Sequence, residues 1–136
     1  QGSPGADFHP GLRLPKGTIV ISKGVSNWDN GYSALQGVTE NGTPFAMLLH
    51  RMELDRLYVG GLATEYCVKE SVLDALKEGF AVTVLTDAVR GVEVQAGDSE
   101  RALQEMLAAG ANQATFASVR IALQAEGQMR PPARTG

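Results

Sequence analysis

The chain has 136 residues, which is enough for one domain and too few for two. At 43% hydrophobic and 20% charged residues, its composition is that of a folded protein and excludes a disordered chain. Lys and Arg total 12, Asp and Glu total 15, and the formal net charge is −3. This negative balance excludes nucleic acid and anionic membranes as partners bound by charge.

Short apolar runs rich in β-branched residues predict four strands. The runs cover residues 18–22, 57–61, 81–86 and 114–117. The first is bounded by Gly17 on one side and by Lys23 and Gly24 on the other, which is typical of a short buried strand.

Helical patterns separate these strands. The helices are predicted over residues 45–52, 65–78, 98–109 and 119–126. Thr43 and Pro44 are expected to cap and begin the first helix. Asp98 is expected to cap the third, while Gly79 and Gly110 stop the second and third helices.

Alternating strands and helices, with strands that are apolar throughout, are typical of a parallel sheet covered by helices on both faces. We therefore expect an α/β fold with three α/β/α layers and a mainly parallel, Rossmann-like sheet. Residues 1–127 are expected to form one domain, and the polar, proline-containing residues 128–136 a flexible tail.

The sequence shows no apolar stretch near the ~20 residues that span a bilayer and no secretory signal at its start. Its single cysteine cannot form an internal disulfide, so a cytoplasmic location is expected. The chain begins at Gln1 and not at Met, which suggests an incomplete translation product.

Cys67 is the principal candidate for chemistry. It lies where the predicted strand 57–61 leads into the predicted helix 65–78, at the carboxyl edge of the sheet where ligands bind. The positive end of the helix dipole favours a thiolate there, and unpaired amides in the first turn favour an oxyanion. The alternative is that Cys67 is a small buried apolar residue.

Lys23 ends the first predicted strand at the same edge. There it would stabilise a thiolate or polarise a carbonyl, unless it is a strand-end lysine that reaches water. Gly60 and Gly61 are followed by no phosphate-binding pattern. His9 and His50 are too far apart to indicate a metal pair, and no metal ligands are assigned.

Four separated segments resemble nicotinamidases of the isochorismatase-like cysteine hydrolase superfamily. The segment 61–68, Gly-Leu-Ala-Thr-Glu-Tyr-Cys-Val, resembles the cysteine motif of that family. Residues 1–10, Lys23-Gly24 with Tyr32-Ser33, and 86–92 with Asp98-Ser99 resemble its other motifs, in the same order.

The resemblance implies hydrolysis of nicotinamide to nicotinate and ammonia, a reaction of NAD salvage, through a thioester on the cysteine. Cys67 would be the nucleophile, and Lys23 would stabilise the thiolate and the charge on the leaving group. The peptide bond between Leu62 and Ala63 would be cis, and the Ala63 and Cys67 amides would form the oxyanion hole.

The family's pyridine pocket corresponds here to Leu62, Tyr66 and Tyr32. One departure is Glu65, which stands where the family usually has aspartate. In the family, the third catalytic residue, an aspartate, and the ligands of the divalent metal, expected to be zinc, come from an N-terminal portion. We expect this portion to be absent from the present chain.

We accordingly expect the sheet to be incomplete on its N-terminal side. The chain alone is expected to be inactive, and to form a homo-oligomer or associate with the missing segment. Two alternatives remain open: a related amidohydrolase acting on a carbamoyl or ureido compound, and a catalytically incomplete interaction module. Retention of both Cys67 and Lys23 counts against the module.

Overall fold

The computed structural model describes residues 2–27 and 29–129. In chain order its strands and helices are β1 (Ile21–Ser22), β2 (Val38–Thr39), α1 (Phe45–Arg51), β3 (Arg56–Leu62), α2 (Lys69–Lys77), β4 (Ala81–Arg90), α3 (Asp98–Ala108), β5 (Asn112–Ala114) and α4 (Phe116–Met129). Two short 3-10 turns, Pro4–Ala6 and Ala34–Gln36, and one π-helical turn, Thr64–Val68, complete the described chain.

The main sheet has three parallel strands in the order β3-β4-β5. Arg56 of β3 pairs with Ala81 of β4, and Thr83 of β4 pairs with Asn112 of β5. Helices α2 and α3 connect successive parallel strands, as such a sheet requires. The expected α/β class with a parallel sheet is confirmed.

The hydrophobic core lies between this sheet and helices α2 and α3. Val82 and Val84, two residues apart on β4, are completely buried and therefore share one face of the strand. Val72 of α2 and Met106 of α3 are also completely buried and belong to the same cluster. The apolar face of each helix thus packs into the core, and this core supports the carboxyl end of β3.

The strand predicted over residues 18–22 differs from the structure in length and pairing. Only Ile21 and Ser22 form a strand, and they pair antiparallel with Val38–Thr39 in a separate two-stranded ribbon, β1-β2. Ile19 and Val20 remain 49% and 44% exposed. An apolar run indicates burial but does not specify the partner strand, so the prediction of a buried strand in the main sheet was wrong.

The carboxyl-terminal elements are shifted relative to their prediction. Strand β5 ends at Ala114, and Phe116 already begins α4, which continues to Met129. The first two residues of the expected tail therefore belong to this helix, and residues 130–136 lie outside the described residues. Within the described part of the chain, no helix has the length and apolar character needed to cross a bilayer.

Two predicted helix caps also differ from the structure. Pro44 is the residue that caps α1, while the side chain of Thr43 bonds Asn41. Gly97, in the left-handed region at φ 84°, precedes α3, and Asp98 is the first residue of the helix. The Asp98 carboxylate still accepts the N–H of Gln95, two residues before Gly97, so it stabilises the approach to the helix.

Candidate active site

Cys67 lies in a π-helical turn that joins β3 to α2. This segment, Thr64–Val68, is called the cysteine turn below. It follows a cis peptide bond between Leu62 and Ala63, as the resemblance implied. The carbonyl of Ala63 accepts hydrogen bonds from the N–H groups of Tyr66 and Val68, both at 3.1 Å. The turn therefore holds Cys67, which is half-buried, at the carboxyl edge of the parallel sheet.

Lys23 reaches the cysteine from the ribbon. Its Nζ donates a hydrogen bond to Cys67 Sγ at 3.2 Å, across a sequence separation of 44 residues. It donates a second hydrogen bond to the carbonyl of Gly31. Because an ammonium group beside a thiol stabilises the thiolate, this contact has the electrostatics of an activated nucleophile.

The loop after Lys23 is closed by a carboxylate that sequence reasoning passed over. Asp29 accepts the N–H groups of Gly24 and of Gly31, the second at 2.7 Å. Both hydrogen bonds lower the pKa of Asp29 below its ordinary value, and the bond from Gly31 has the larger effect.

The same loop contains two glycines with left-handed backbone. Gly24 and Gly31 have φ values of 67° and 79°, and a Cβ on Gly24 would lie 3.3 Å from Gly31 Cα. Both positions therefore require glycine.

Glu65 connects the cysteine turn to the loop before α3. Its carboxylate accepts the N–H groups of Val92 at 2.6 Å and Glu93 at 2.8 Å. Burial by itself would raise the pKa of Glu65, but the backbone N–H groups of Glu65, Glu93 and Val92 outweigh it and lower the pKa. Oε1 of Glu65 accepts both of these N–H groups, and Oε2 accepts the Ser99 hydroxyl at 3.4 Å.

Cys67, Lys23 and Leu62 line one cavity of about 350 Å³. Six consecutive residues of β3, from Leu57 to Leu62, contribute to its wall. Because alternate side chains of a strand point to opposite faces, a cavity that touches all six lies along the edge of β3 and not over one face. Cys67 and Lys23 therefore lie on a trough that follows this edge.

The two candidate tyrosines of the substrate pocket contact each other. The rings of Tyr32 and Tyr66 are stacked, with centroids 5.9 Å apart and planes inclined by 26°. Both are partly exposed, at 45% and 39%, and neither lines the trough. Leu62, the third candidate, lines it and is 71% exposed.

The described residues do not fit a metal centre. No three side chains of the His, Cys, Asp and Glu types come together within residues 2–27 and 29–129. The Nδ1 of His9 accepts the N–H of Gly11, and the Nε2 of His50 pairs with Glu78 at 3.0 Å. A catalytic zinc needs about three protein ligands, and the described residues bring no such set together.

Comparison with known proteins gives a consistent result. The isochorismatase domain family matches residues 1–118. The nicotinamidase of Escherichia coli is 45% identical over 121 residues, covering 86% of this chain and 55% of that protein. The chain therefore spans little more than half the length of this relative.

Two solved structures share the fold. The pyrazinamidase of Pyrococcus horikoshii, solved in complex with zinc, has a TM-score of 0.71 and 40% identity, covering 85% of this chain and 60% of that one. The protein PnC1 of L. infantum, solved in complex with nicotinate, has a TM-score of 0.73 and 34% identity, covering 86% and 58% of the two chains.

Proposed function

The chain belongs to the isochorismatase family, and we propose that it carries the nucleophile and the activating lysine of a nicotinamidase. The observation that carries this proposal is the hydrogen bond between Lys23 Nζ and Cys67 Sγ at 3.2 Å. The similarity to the E. coli nicotinamidase and to a structure in complex with nicotinate supports nicotinamide as the substrate.

The reaction proceeds in two halves. Cys67 Sγ attacks the carboxamide carbon, and the thiol proton passes to the amide nitrogen as the C–N bond breaks. Ammonia leaves, and the acyl group stays on Cys67 as a thioester. Water then attacks the thioester carbon, which releases nicotinate and restores the thiol. The ammonium group of Lys23 stabilises the sulfur anion in both halves.

The oxyanion hole is assigned to the backbone N–H groups of Ala63 and Cys67. Both belong to the segment that links the end of β3 to α2, at the carboxyl edge of the sheet. Two converging N–H donors stabilise the negative oxygen that forms when sulfur adds to the carbonyl. Leu62, Tyr66 and Tyr32 are assigned to the pyridine ring. Leu62 lines the trough, and the two tyrosines stack on each other outside it, where they offer an aromatic surface to a ring.

The group that accepts the proton of the Cys67 thiol, and the metal, are both assigned outside the described residues. Within residues 2–27 and 29–129 no carboxylate forms an ion pair with Lys23. The resemblance assigns the acceptor to an aspartate of a further segment. The zinc of the P. horikoshii structure supports a divalent metal in the whole protein, held by ligands outside the part of the chain that the structure describes.

The trough along β3 supports association with another strand. In the described structure β3 pairs only with β4, so its second edge presents backbone groups without strand partners. Apolar side chains such as Leu57, Val59 and Phe45 line this trough. We infer that a strand from a second copy or from a further segment of the protein covers this edge.

The single cysteine favours the cytoplasm as the compartment.

The test is ammonia release from nicotinamide by the intact protein, compared with release from carbamoyl and ureido compounds. We expect nicotinamide to be preferred and Cys67→Ala to abolish its hydrolysis. Mass spectrometry of acid-quenched reactions should find the acyl group on Cys67. Turnover retained in Cys67→Ala, or preference for a ureido compound, would overturn the proposal.

A further inference from the structure

We propose that Ser71 is a positioning residue that holds Lys23 and Cys67 together. Ser71 lies one helical turn after Cys67, in α2, and is 8% exposed. Its hydroxyl donates a hydrogen bond to the carbonyl of Cys67 at 2.6 Å. The same oxygen accepts the N–H of Ala34 at 2.8 Å. One hydroxyl group can make both bonds, since it has one proton and two lone pairs.

The bridge connects two parts of the molecule that form no common sheet. Cys67 follows the parallel sheet, whereas Lys23 follows β1 of the separate ribbon. Ala34 begins the 3-10 turn that lies between Gly31, which holds Lys23, and strand β2. Ser71 therefore fixes the backbone of the nucleophile against the segment that carries the lysine's acceptor.

A serine that only bonded a carbonyl of its own helix would not also accept an N–H from another segment. Hydroxyl groups in helices often bond the carbonyl four residues earlier, and the bond to Cys67 has this form. The bond from Ala34 comes from 37 residues away and is nearly as short. Both bonds are part-buried, so losing the hydroxyl leaves a part-buried N–H and a part-buried carbonyl without this partner.

The inference rests on the proposed function only in taking Cys67 as the reactive residue. It is tested by the rate at which iodoacetamide alkylates the single cysteine of the intact protein, which needs no substrate. We expect Ser71→Ala to lower this rate at neutral pH by about threefold to tenfold. Ser71→Thr keeps the hydroxyl and has the open trough beside it for the added methyl group, so it should restore the rate.

A double-mutant cycle separates positioning from general support. If Ser71 acts by placing Lys23, then Ser71→Ala should have little effect once Lys23 has been replaced by Ala. An equal loss of rate in both backgrounds would mean that Ser71 serves only the fold, and would overturn the inference. If nicotinamide is not hydrolysed but the coupling is measured, the proposed function fails and the positioning role stands.

Two further variants keep the test decisive if Ser71→Ala does not fold. Ala34→Pro removes the other donor, at the first position of a turn where proline is favoured, after a residue with the extended backbone that precedes proline. It should lower the alkylation rate in the same way. Ser33→Ala is the matched control, because Ser33 is 1% exposed and its hydroxyl bonds only within its own turn, to Leu35. A loss in the control as large as in Ala34→Pro would also overturn the inference.

Discussion

The lysine that reaches Cys67 is itself held by the carbonyl oxygen of Gly31, and the N–H of that same glycine is bound by Asp29 at 2.7 Å. The Asp29 carboxylate thus holds the peptide group before the Gly31 Cα, and the peptide group after it holds the ammonium group. We expect Asp29→Ala to reduce turnover of nicotinamide by about tenfold or more, because small displacements of a reacting group are costly. Steady-state kinetics should show the loss in kcat with KM little changed. A normal kcat would contradict this role.

Asp29 also gives the loop a defined pH dependence. Its pKa is lowered in the folded chain, so its contribution to the free energy of unfolding is complete above its ordinary value near 3.8 and is lost as the pH falls through the lowered folded value. The Tm difference between the natural protein and Asp29→Asn should therefore be largest near pH 6 and shrink toward pH 3. A difference that grows as the pH falls would show that the sign is wrong.

Replacement of Lys23 tests the electrostatics of the thiol directly. Lys23→Ala should lower turnover by about 10²–10³-fold, because the sulfur anion loses its cation. Lys23→Arg should restore little activity, since a planar guanidinium does not occupy the place of a compact ammonium. Both variants should also slow the alkylation of Cys67. Near-normal turnover of Lys23→Arg would indicate that only the charge matters.

Gly91 lies so close to the side chains of Glu65 and Ser99 that a Cβ has no room there. A Cβ at this position would overlap Ser99 Oγ and lie 2.5 Å from Glu65 Oε2. We expect Gly91→Ala to lower the free energy of unfolding by about 1–3 kcal/mol. The control is Gly127→Ala in α4, where nothing lies within 4 Å and the change should stabilise the helix by about 0.5–1 kcal/mol. Thermal denaturation of both variants would reveal the opposite signs.

Met106 tests the core that supports the site. It is completely buried in α3, so Met106→Ala should cost about 2–5 kcal/mol in urea denaturation. Met47 on α1 is 45% exposed, and Met47→Ala should change the stability by much less. Similar losses in the two variants would mean that the core is not where the structure has it.

The sequence predicted the elements whose signals are local. Strands β3 and β4 and helices α2 and α3 were found because continuous apolar runs and helical spacing coincide with glycine stops. The pairing of β1 with β2 was not found, since Val38 and Thr39 form a strand too short to leave a pattern.

The sequence predicted Cys67 and Lys23 as two separate candidates. It did not predict that they contact each other. Cys67 and Lys23 were each placed at the end of a predicted strand, and only the folded chain shows their 3.2 Å separation. Asp29 and Ser71 gave no signal, because their partners are backbone N–H and carbonyl groups that every residue carries. The assigned roles of all six residues remain predictions: Cys67, Lys23, Ala63, Leu62, Tyr32 and Tyr66.

Lys23 follows the ribbon, whereas Cys67 follows the parallel sheet, so their contact can be lost before the fold is lost. The core cluster draws its buried members from residues between Leu49 and Ala111, so the ribbon segment that carries Lys23 contributes none of them. Segments with few buried contacts open at a lower free energy than the core does. A subglobal opening would then withdraw the lysine while α2, α3 and the parallel sheet stay folded. Inactivation on warming should accordingly precede the melting of the helices.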